Sequence, residues 1–194
     1  MFIILLLAMT VVSPINSMYR SNIKFTSTGF EYQPKPYVQL ISTKYTQTKI
    51  RCSAACNQLI SCRIFDYDTV SKRCRLFEGD TTTGSIISSS STTSLVGTIK
   101  ISSTLYSSIH NQSCQTCQIN RYESCSVNTT TCQCPDRTYW DGSVCALQLF
   151  ENDTCVAINS CRSDLNLSCL SDCYGSSPRC LPSYIFSKKI FEGL

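Results

Sequence analysis

Cysteine content restricts what this chain can fold into more than any other feature of its sequence. The 194 residues include 15 cysteines, far above ordinary usage. Such a content indicates a scaffold of disulfide bonds formed in an oxidising compartment, because cytosolic thiols are kept reduced. A zinc site built from cysteines alone stays open in principle, but a secretory route favours disulfides. We therefore expect a secreted, extracellular protein with neither a bound metal nor a cofactor.

The cysteines form two unequal groups, four from Cys52 to Cys74 and eleven from Cys114 to Cys180. The second stretch has few large apolar residues, so cross-links must replace an ordinary core there. An odd total leaves at least one thiol over if all the others pair within the chain. We expect that thiol among the last five cysteines, either free or joining two chains in a disulfide-linked dimer.

Residues Lys49–Phe77 predict a helix followed by a β-hairpin. Thr48 is a suitable N-cap, and the i, i+4 spacing of Cys52 and Cys56 places both sulfurs on one helix face. The segment R-I-F-D-Y-D predicts a strand, D-T-V-S-K-R a polar turn, and C-R-L-F-E a returning strand. We expect the two helix cysteines to face a hairpin that carries two more.

The same segment contains the pattern C-x3-C-x5-C-x2-F-x-Y-x6-C-x-L, whose fixed positions are Cys52, Cys56, Cys62, Phe65, Tyr67, Cys74 and Leu76. This pattern resembles the core of a PAN/apple domain, and the resemblance covers residues 24–106. It implies nested disulfides, Cys52 with Cys74 and Cys56 with Cys62, and a binding function without a named ligand. Many apple domains have a third disulfide between their ends, which has no counterpart here because no cysteine precedes Cys52.

The flanking residues are expected to complete a small sheet. Strand-like pieces between Phe25 and Ile41 would supply its edge strands. After Phe77, a run rich in serine and threonine is typical of a glycosylated linker. However, S-L-V-G-T-I-K-I alternates in polarity, and apple-like domains close their sheet with a strand here, so we favour a strand preceded by an exposed loop at 88–93. The predicted fold class is α+β, a small antiparallel sheet with one covering helix, followed by a disulfide-rich, loop-rich region.

Residues 114–145 resemble an EGF-like module, because C-Q-C-P-D-R-T-Y-W-D-G-S-V-C contains the C-x-C, an aromatic near Tyr139, Gly142 and the closing Cys145. An EGF-like order would pair Cys114 with Cys125, Cys117 with Cys132 and Cys134 with Cys145. Trypsin-inhibitor-like modules also carry C-x-C-P and G-x-x-C, so that alternative stays open. Residues 155–180 form a second cysteine-rich segment, which resembles the repeats that follow such modules in invertebrate extracellular proteins.

The N-terminus is consistent with secretion. Residues 2–12 are an apolar run of signal-peptide length, shorter than the about 20 apolar residues of a spanning helix. We expect a signal peptide at residues 1–17, no transmembrane segment after it, and a loose tail at residues 181–194. Four N-x-S/T sequences are candidate N-glycosylation sites in the cysteine-rich half, and they begin at Asn111, Asn128, Asn152 and Asn166.

Net charge differs between the two halves of the chain. Met18–Ser108 carries +6 and the remainder −2, which gives the overall +4. The basic half should therefore attract an acidic ligand. The candidate ligand-binding cations lie on or beside the predicted helix and hairpin, and they are Arg51, Arg63, Lys72, Arg73 and Arg75.

No catalytic motif supports an enzyme. The sequence has no G-x-S-x-G, no H-E-x-x-H, no phosphate loop and no dinucleotide fingerprint. We expect the single histidine, His110, to be a solvated linker residue, and Asp66 and Asp68 to flank a turn. We predict a secreted, non-catalytic binding or adhesion module that recognises an extracellular protein or an acidic glycan, with no nucleic-acid partner. The alternative is a protease inhibitor that acts through the cysteine-rich half.

Overall fold

The structure of the chain is a computed structural model that describes residues 21–35, 38, 40–100, 102–117, 123–171 and 177–183. The predicted signal peptide, the predicted tail beyond Ser183, and Cys173 lie outside these residues. The α+β fold class is confirmed. In the first half the elements are β1 Asn22–Phe25, β2 Phe30–Pro34, β3 Leu40–Tyr45, α1 Lys49–Asn57, β4 Ile64–Asp68, β5 Arg73–Phe77, β6 Gly84–Ser88, β7 Ser94–Lys100 and α2 Ser103–Ile109.

Five strands of the first half form one antiparallel sheet in the order β1-β7-β4-β5-β3. Strand β4 is central and pairs with β7 on one side and with β5 on the other, while β1 and β3 occupy the edges. Strands β2 and β6 form a separate pair that packs against β4 and β7. The linker interpretation of the serine- and threonine-rich run is wrong, because that run contains β6 and β7, and β7 buries Leu95, Val96 and Ile99 in the core.

Helix α1 covers one face of the sheet. It begins after Thr48, whose side chain accepts a hydrogen bond at 3.2 Å from a backbone amide of the first turn. Cys52 and Cys56 are both buried, and they form the disulfides Cys52–Cys74 and Cys56–Cys62. This is the nested pairing that the resemblance to PAN/apple domains implies.

Strand β4 is buried along its whole length. Phe65 and Tyr67 face the helix and pack in the same core as its cysteines. Ile64 points to the opposite face, where it packs with Tyr32 and Phe77 beneath the β2–β6 pair. The sheet therefore separates two hydrophobic cores, and β4 contributes side chains to both.

The second half consists of two small disulfide-bonded units. The first contains α3 Cys114–Cys117 and two hairpins, β8 Ser124–Ser126 with β9 Thr131–Gln133 and β10 Thr138–Trp140 with β11 Cys145–Leu147. The second contains 3-10 turns at Ile158–Ser160 and Ser163–Leu165 and a hairpin of β12 Leu167–Leu170 with β13 Arg179–Pro182. Its last strand ends beyond the boundary that we predicted at residue 180.

Each of these two units is cross-linked internally, and the described residues contain five such disulfides. The first unit contains Cys114–Cys125, Cys117–Cys132 and Cys134–Cys145, which is the order that the EGF-like resemblance implies. The second unit contains Cys155–Cys169 and Cys161–Cys180. With the two bonds of the first half, every cysteine among the described residues is paired. Cys173 is the remaining member of the odd total.

Gly97 of β7 provides a test of the core between α1 and the sheet. It lies against the ring of Phe65, and a Cβ at this position would overlap that ring. We expect Gly97→Ala to lower the free energy of unfolding by about 1–3 kcal/mol, because an overpacked core must shift or strain its side chains. Denaturant unfolding with the disulfides intact measures this change.

The double variant Gly97→Ala/Phe65→Leu is the control. Leucine removes ring atoms that the new methyl group would meet, so the double variant should lose less stability than the sum of the two single changes. A strictly additive loss would show that the Phe65 ring is not what restricts this position to glycine.

Candidate binding site

The turn between β4 and β5 is held by the carboxylate of Asp68. This carboxylate accepts hydrogen bonds from the amides of Val70 and Ser71 at 2.8 and 3.3 Å, and from the hydroxyls of Ser91 and Thr93 at 2.9 Å each. Burial alone would raise the pKa of Asp68, but the four hydrogen bonds outweigh it and hold the pKa at about 2. Asp68 is therefore ionised at neutral pH and fixes the turn against the loop that precedes β7.

Side chains of mixed character surround this turn, and all of them are exposed except Arg73, which is half-buried. Tyr45, at the end of β3, is 76% exposed, and Val70 is 73% exposed. Tyr45 pairs with Arg73 across the strands, and the Thr46 amide donates to the Lys72 carbonyl at 2.9 Å, so the end of β3 lies beside the turn. We call Lys44, Tyr45, Val70, Lys72 and Arg73 the turn surface.

Arg75 is the counter-charge of two carboxylates within the fold. Its Nε donates to Asp66 Oδ1 at 2.8 Å, and its Nη2 lies 3.3 Å from Glu31 Oε2. Asp66 also accepts a hydrogen bond from the Tyr32 amide at 3.3 Å. Burial raises the pKa of Asp66, although the hydrogen bond and charge of Arg75 oppose that rise. This predicted ligand-binding cation is thus already paired within the fold.

Arg63 and Arg51 do not lie at the turn either. Arg63 precedes β4, at the opposite end of that strand from the turn, about 17 Å away at the usual rise per residue. Its side chain is buried, and Nη2 donates to the carbonyl of Cys145 at 2.6 Å. Arg51 is exposed on α1. Of the five candidate cations, the structure therefore brings Lys72 and Arg73 together at the turn surface and places the other three elsewhere.

Charged side chains connect the first half to both cysteine-rich units. Glu78, immediately after β5, accepts a hydrogen bond from Arg137 at 2.8 Å, and Arg137 lies 3.5 Å from Asp164. Asp164 in turn accepts two hydrogen bonds from Arg162, both at 2.6 Å, and these hold the pKa of Asp164 below its usual range. Glu78 and Arg162 are only 5% and 3% exposed, whereas the side chains of Arg137 and Asp164 are 37% and 38% exposed, so this network runs from the interior of the junction to its surface.

The covering helix, the hairpin and the nested disulfides all fall within one family match. Residues 27–114 match the model of the PAN domain. None of the curated proteins matches the chain. PAN domains bind proteins or carbohydrates and are not catalytic modules, and a disulfide-rich PAN domain fits an extracellular protein. No helix among the described residues is long and apolar enough to span a bilayer.

His110 is part of a buried pair, and our expectation of a solvated linker residue is wrong. It caps α2, and its ring stacks on Trp140 with centroids 3.8 Å apart and an interplanar angle of 5°. Its Nδ1 lies 3.1 Å from Oε1 of Glu123, whose side chain is fully buried and whose Oε2 has no hydrogen-bond partner among the residues that the structure describes. Burial raises the pKa of Glu123, and His110 partly offsets this rise. The sequence carried no signal for this pair, because the two residues meet only through the disulfide-bonded unit.

The four candidate N-glycosylation asparagines are all exposed. Three of them, Asn111, Asn152 and Asn166, have positive φ values of 63°, 68° and 57°, a conformation that asparagine tolerates in turns. Asn128 lies in the turn between β8 and β9. The acceptor positions are therefore accessible on the cysteine-rich units.

One group of side chains among the described residues has the spacing of a metal site. It consists of Cys155, Cys161 and Cys180, whose sulfur atoms lie within 4.8 Å of one another. All three sulfurs belong to disulfides, so none is the thiolate that a metal would require.

The buried carboxyl of Glu123 generates a pH prediction. Because its folded-state pKa is raised, the stability it contributes is complete below the ordinary value of 4.5 and is lost as the pH rises through the raised pKa. We expect Glu123→Gln to remove this loss and to unfold at a higher temperature than the wild type at pH 8. Thermal unfolding between pH 4 and pH 8, followed by Trp140 fluorescence, measures the difference.

Glu151→Gln is the matched control, because Glu151 is exposed and the substitution removes the same charge. Its melting temperature should follow the wild type at every pH. A Glu123→Gln variant that is less stable than the wild type at pH 8 would show that the ionised carboxylate stabilises this unit.

Proposed function

We propose that this chain is an extracellular, non-catalytic binding module that recognises its ligand through the turn surface of the PAN domain. The exposure of Tyr45 and Val70 beside Lys72 and Arg73 carries this proposal. Tyrosine and arginine are enriched at protein interfaces, where aromatic side chains bury much area at little entropic cost. The four hydrogen bonds to Asp68 support it further, since a turn that is already ordered loses little entropy on binding.

Two ligand classes suit this surface. An extracellular protein would bury Tyr45 and Val70, whereas an acidic glycan would pair its sulfates or carboxylates with Lys72 and Arg73. The +6 charge of Met18–Ser108 would draw either kind of acidic ligand toward this half. The two classes differ in their response to salt, because surface ion pairs weaken as ionic strength rises while apolar burial does not.

We further propose how the chain is processed, divided into modules and modified. We place the signal peptide at residues 1–17, an EGF-like module at 114–145, a second cysteine-rich segment at 155–180, and N-glycosylation at the four exposed asparagines. The paired state of all described cysteines supports an oxidising compartment. Because the total of 15 cysteines is odd and the described cysteines pair with one another, we also propose that Cys173 can join two chains as a disulfide-linked dimer.

Retention on immobilised heparin tests the glycan class. We expect Lys72→Ala/Arg73→Ala to bind roughly two- to thirtyfold more weakly than the wild type and to elute at lower salt, since two ion pairs near the surface would be lost. Arg75 is left unchanged because its loss would leave Asp66 buried without a counter-charge.

The control is Lys24→Ala/Lys100→Ala, which removes the same charge from β1 and the far end of β7. Its elution should match the wild type. If the turn variant also elutes with the wild type, acidic glycans are not ligands of the turn surface, and the protein class remains to be tested with the same variant.

A protease inhibitor is the second candidate function, and one loop of the second cysteine-rich unit favours it. Val156 and Ile158 are 85% and 90% exposed, and they lie between Cys155 and Cys161, which are both fixed by disulfides. Exposed aliphatic side chains on a cross-linked loop suit a protease with an apolar specificity pocket.

A panel of secreted proteases tests this candidate with the full chain. Inhibition should be lost in Val156→Asp/Ile158→Asp and kept in Val127→Asp, which changes another valine of similar exposure in the first unit. Absence of inhibition across the panel, or equal inhibition by both variants, would contradict an inhibitory role for this loop.

A further inference from the structure

A cleft separates the PAN domain from the first cysteine-rich unit. Its volume is about 420 Å³, within the roughly 300–1,000 Å³ of ligand sites. The segment between α1 and β4 forms one wall, and the loop before β10 with the end of β11 forms the other. The cleft therefore exists only when both halves are docked, and it lies at the opposite end of β4 from the turn surface.

Arg63 lines this cleft with a charge that the fold leaves largely unpaired. The residue is 6% exposed, and its Nη2 donates to the Cys145 carbonyl at 2.6 Å. Among the described residues, Nε and Nη1 donate no hydrogen bond, and no carboxylate lies within ion-pair distance of the guanidinium. Nε and Nη1 are not among the fully buried polar atoms that lack a partner, so they keep contact with solvent in the cleft and are accessible to an anion.

We propose that this cleft is a second binding site, in which Arg63 receives the carboxylate of a segment from a protein partner. Cys145 accepts one of the two N–H groups of Nη2, and the second N–H can act together with Nε or Nη1 as an edge of the guanidinium that carboxylates bind in bidentate fashion. The site goes beyond the binding function assigned to the turn surface, since it uses a different end of the PAN domain and requires the cysteine-rich half.

The other lining residues favour a protein segment over a sulfated glycan. Leu59, Ile60, Pro135 and Leu147 give the cleft an apolar component that matches hydrophobic side chains next to the carboxylate. Glu78 and Asp136 also line it, and their negative charges repel a polyanion more strongly than a ligand with a single carboxylate. The chemistry of the site thus selects one acidic group beside apolar neighbours.

The test uses the intact chain and two small probes of equal shape. The probes are 4-methylpentanoate, which has a carboxylate on a leucine-like body, and its neutral amide, 4-methylpentanamide. Amide NMR signals of Ser61, Ser124 and Thr138 report on the cleft. We expect saturable shifts with the carboxylate and at least about tenfold weaker binding of the amide, because only the carboxylate forms charged hydrogen bonds with Arg63.

Two variants test whether binding of the carboxylate depends on Arg63. Arg63→Lys keeps the charge but loses the planar fork, and should bind the carboxylate about tenfold more weakly than the wild type. Arg51→Lys makes the same change on the exposed face of α1 and should bind it like the wild type. Should Arg63→Lys fail to fold, the comparison of carboxylate with amide on the wild type still decides the question.

Three results would overturn the proposal. Equal binding of the carboxylate and the amide would remove the anion site. Shifts confined to Lys72 and Arg73 would place the carboxylate at the turn surface. Tighter binding of a heparin disaccharide than of 4-methylpentanoate in the cleft would assign the site to a glycan. The variant Lys72→Ala/Arg73→Ala, used in the heparin experiment, keeps the cleft intact. Failure of binding at the turn surface is therefore distinguishable from failure of binding in the cleft.

Discussion

Strand β4 carries hydrophobic and acidic side chains through the middle of the PAN domain, and all five of its residues are buried. Its hydrophobic residues fill the cores on both faces of the sheet. Its two carboxylates need partners, because a buried charge without compensation is strongly destabilising. Asp66 meets Arg75 from the adjacent strand, and Asp68 meets the amides of the turn and the hydroxyls of the loop before β7. The burial of β4 thus determines which cation is used internally and how the neighbouring turn is ordered.

The two ends of β4 have different surroundings for the same reason. At one end, backbone and hydroxyl donors of the protein satisfy Asp68, so the exposed Lys72 is not needed as its counter-charge and donates to the Thr69 carbonyl at 2.7 Å instead. At the other end, the cysteine-rich half packs against Arg63 and Glu78, and charged groups from both sides become buried together. Units this small bury little apolar surface, so disulfides hold each unit and the charge network fixes its position on the PAN domain.

Local patterns explain what the sequence could predict. The N-cap at Thr48, the spacing of Cys52 and Cys56, and the turn after Asp68 depend on neighbours only a few residues away, and the helix and hairpin follow from them. The resemblance supplied the nested disulfides. The burial of Arg63 could not be predicted, because its hydrogen-bond partner lies 82 residues away in another unit. The pairing of Asp66 with the amide of Tyr32 spans 34 residues and depends on the β2–β6 layer, for which the sequence gives only weak strand signals.

Contacts between residues distant in the sequence matter most for function, since a count of basic residues does not tell which cations a ligand can reach. Lys72 is exposed and Arg73 is half-buried, so a ligand at the turn surface must displace water and compete with salt, whose screening length is about 10 Å at 0.1 M. Arg63 has lost most of its contact with water in the folded chain, and an anion that reaches it in the cleft meets surroundings of lower dielectric constant, in which the same attraction is stronger. A carboxylate in the cleft should therefore resist salt that would release a glycan from the turn surface. The fold thus places a buried arginine at one end of β4, and an exposed lysine with a half-buried arginine at the other.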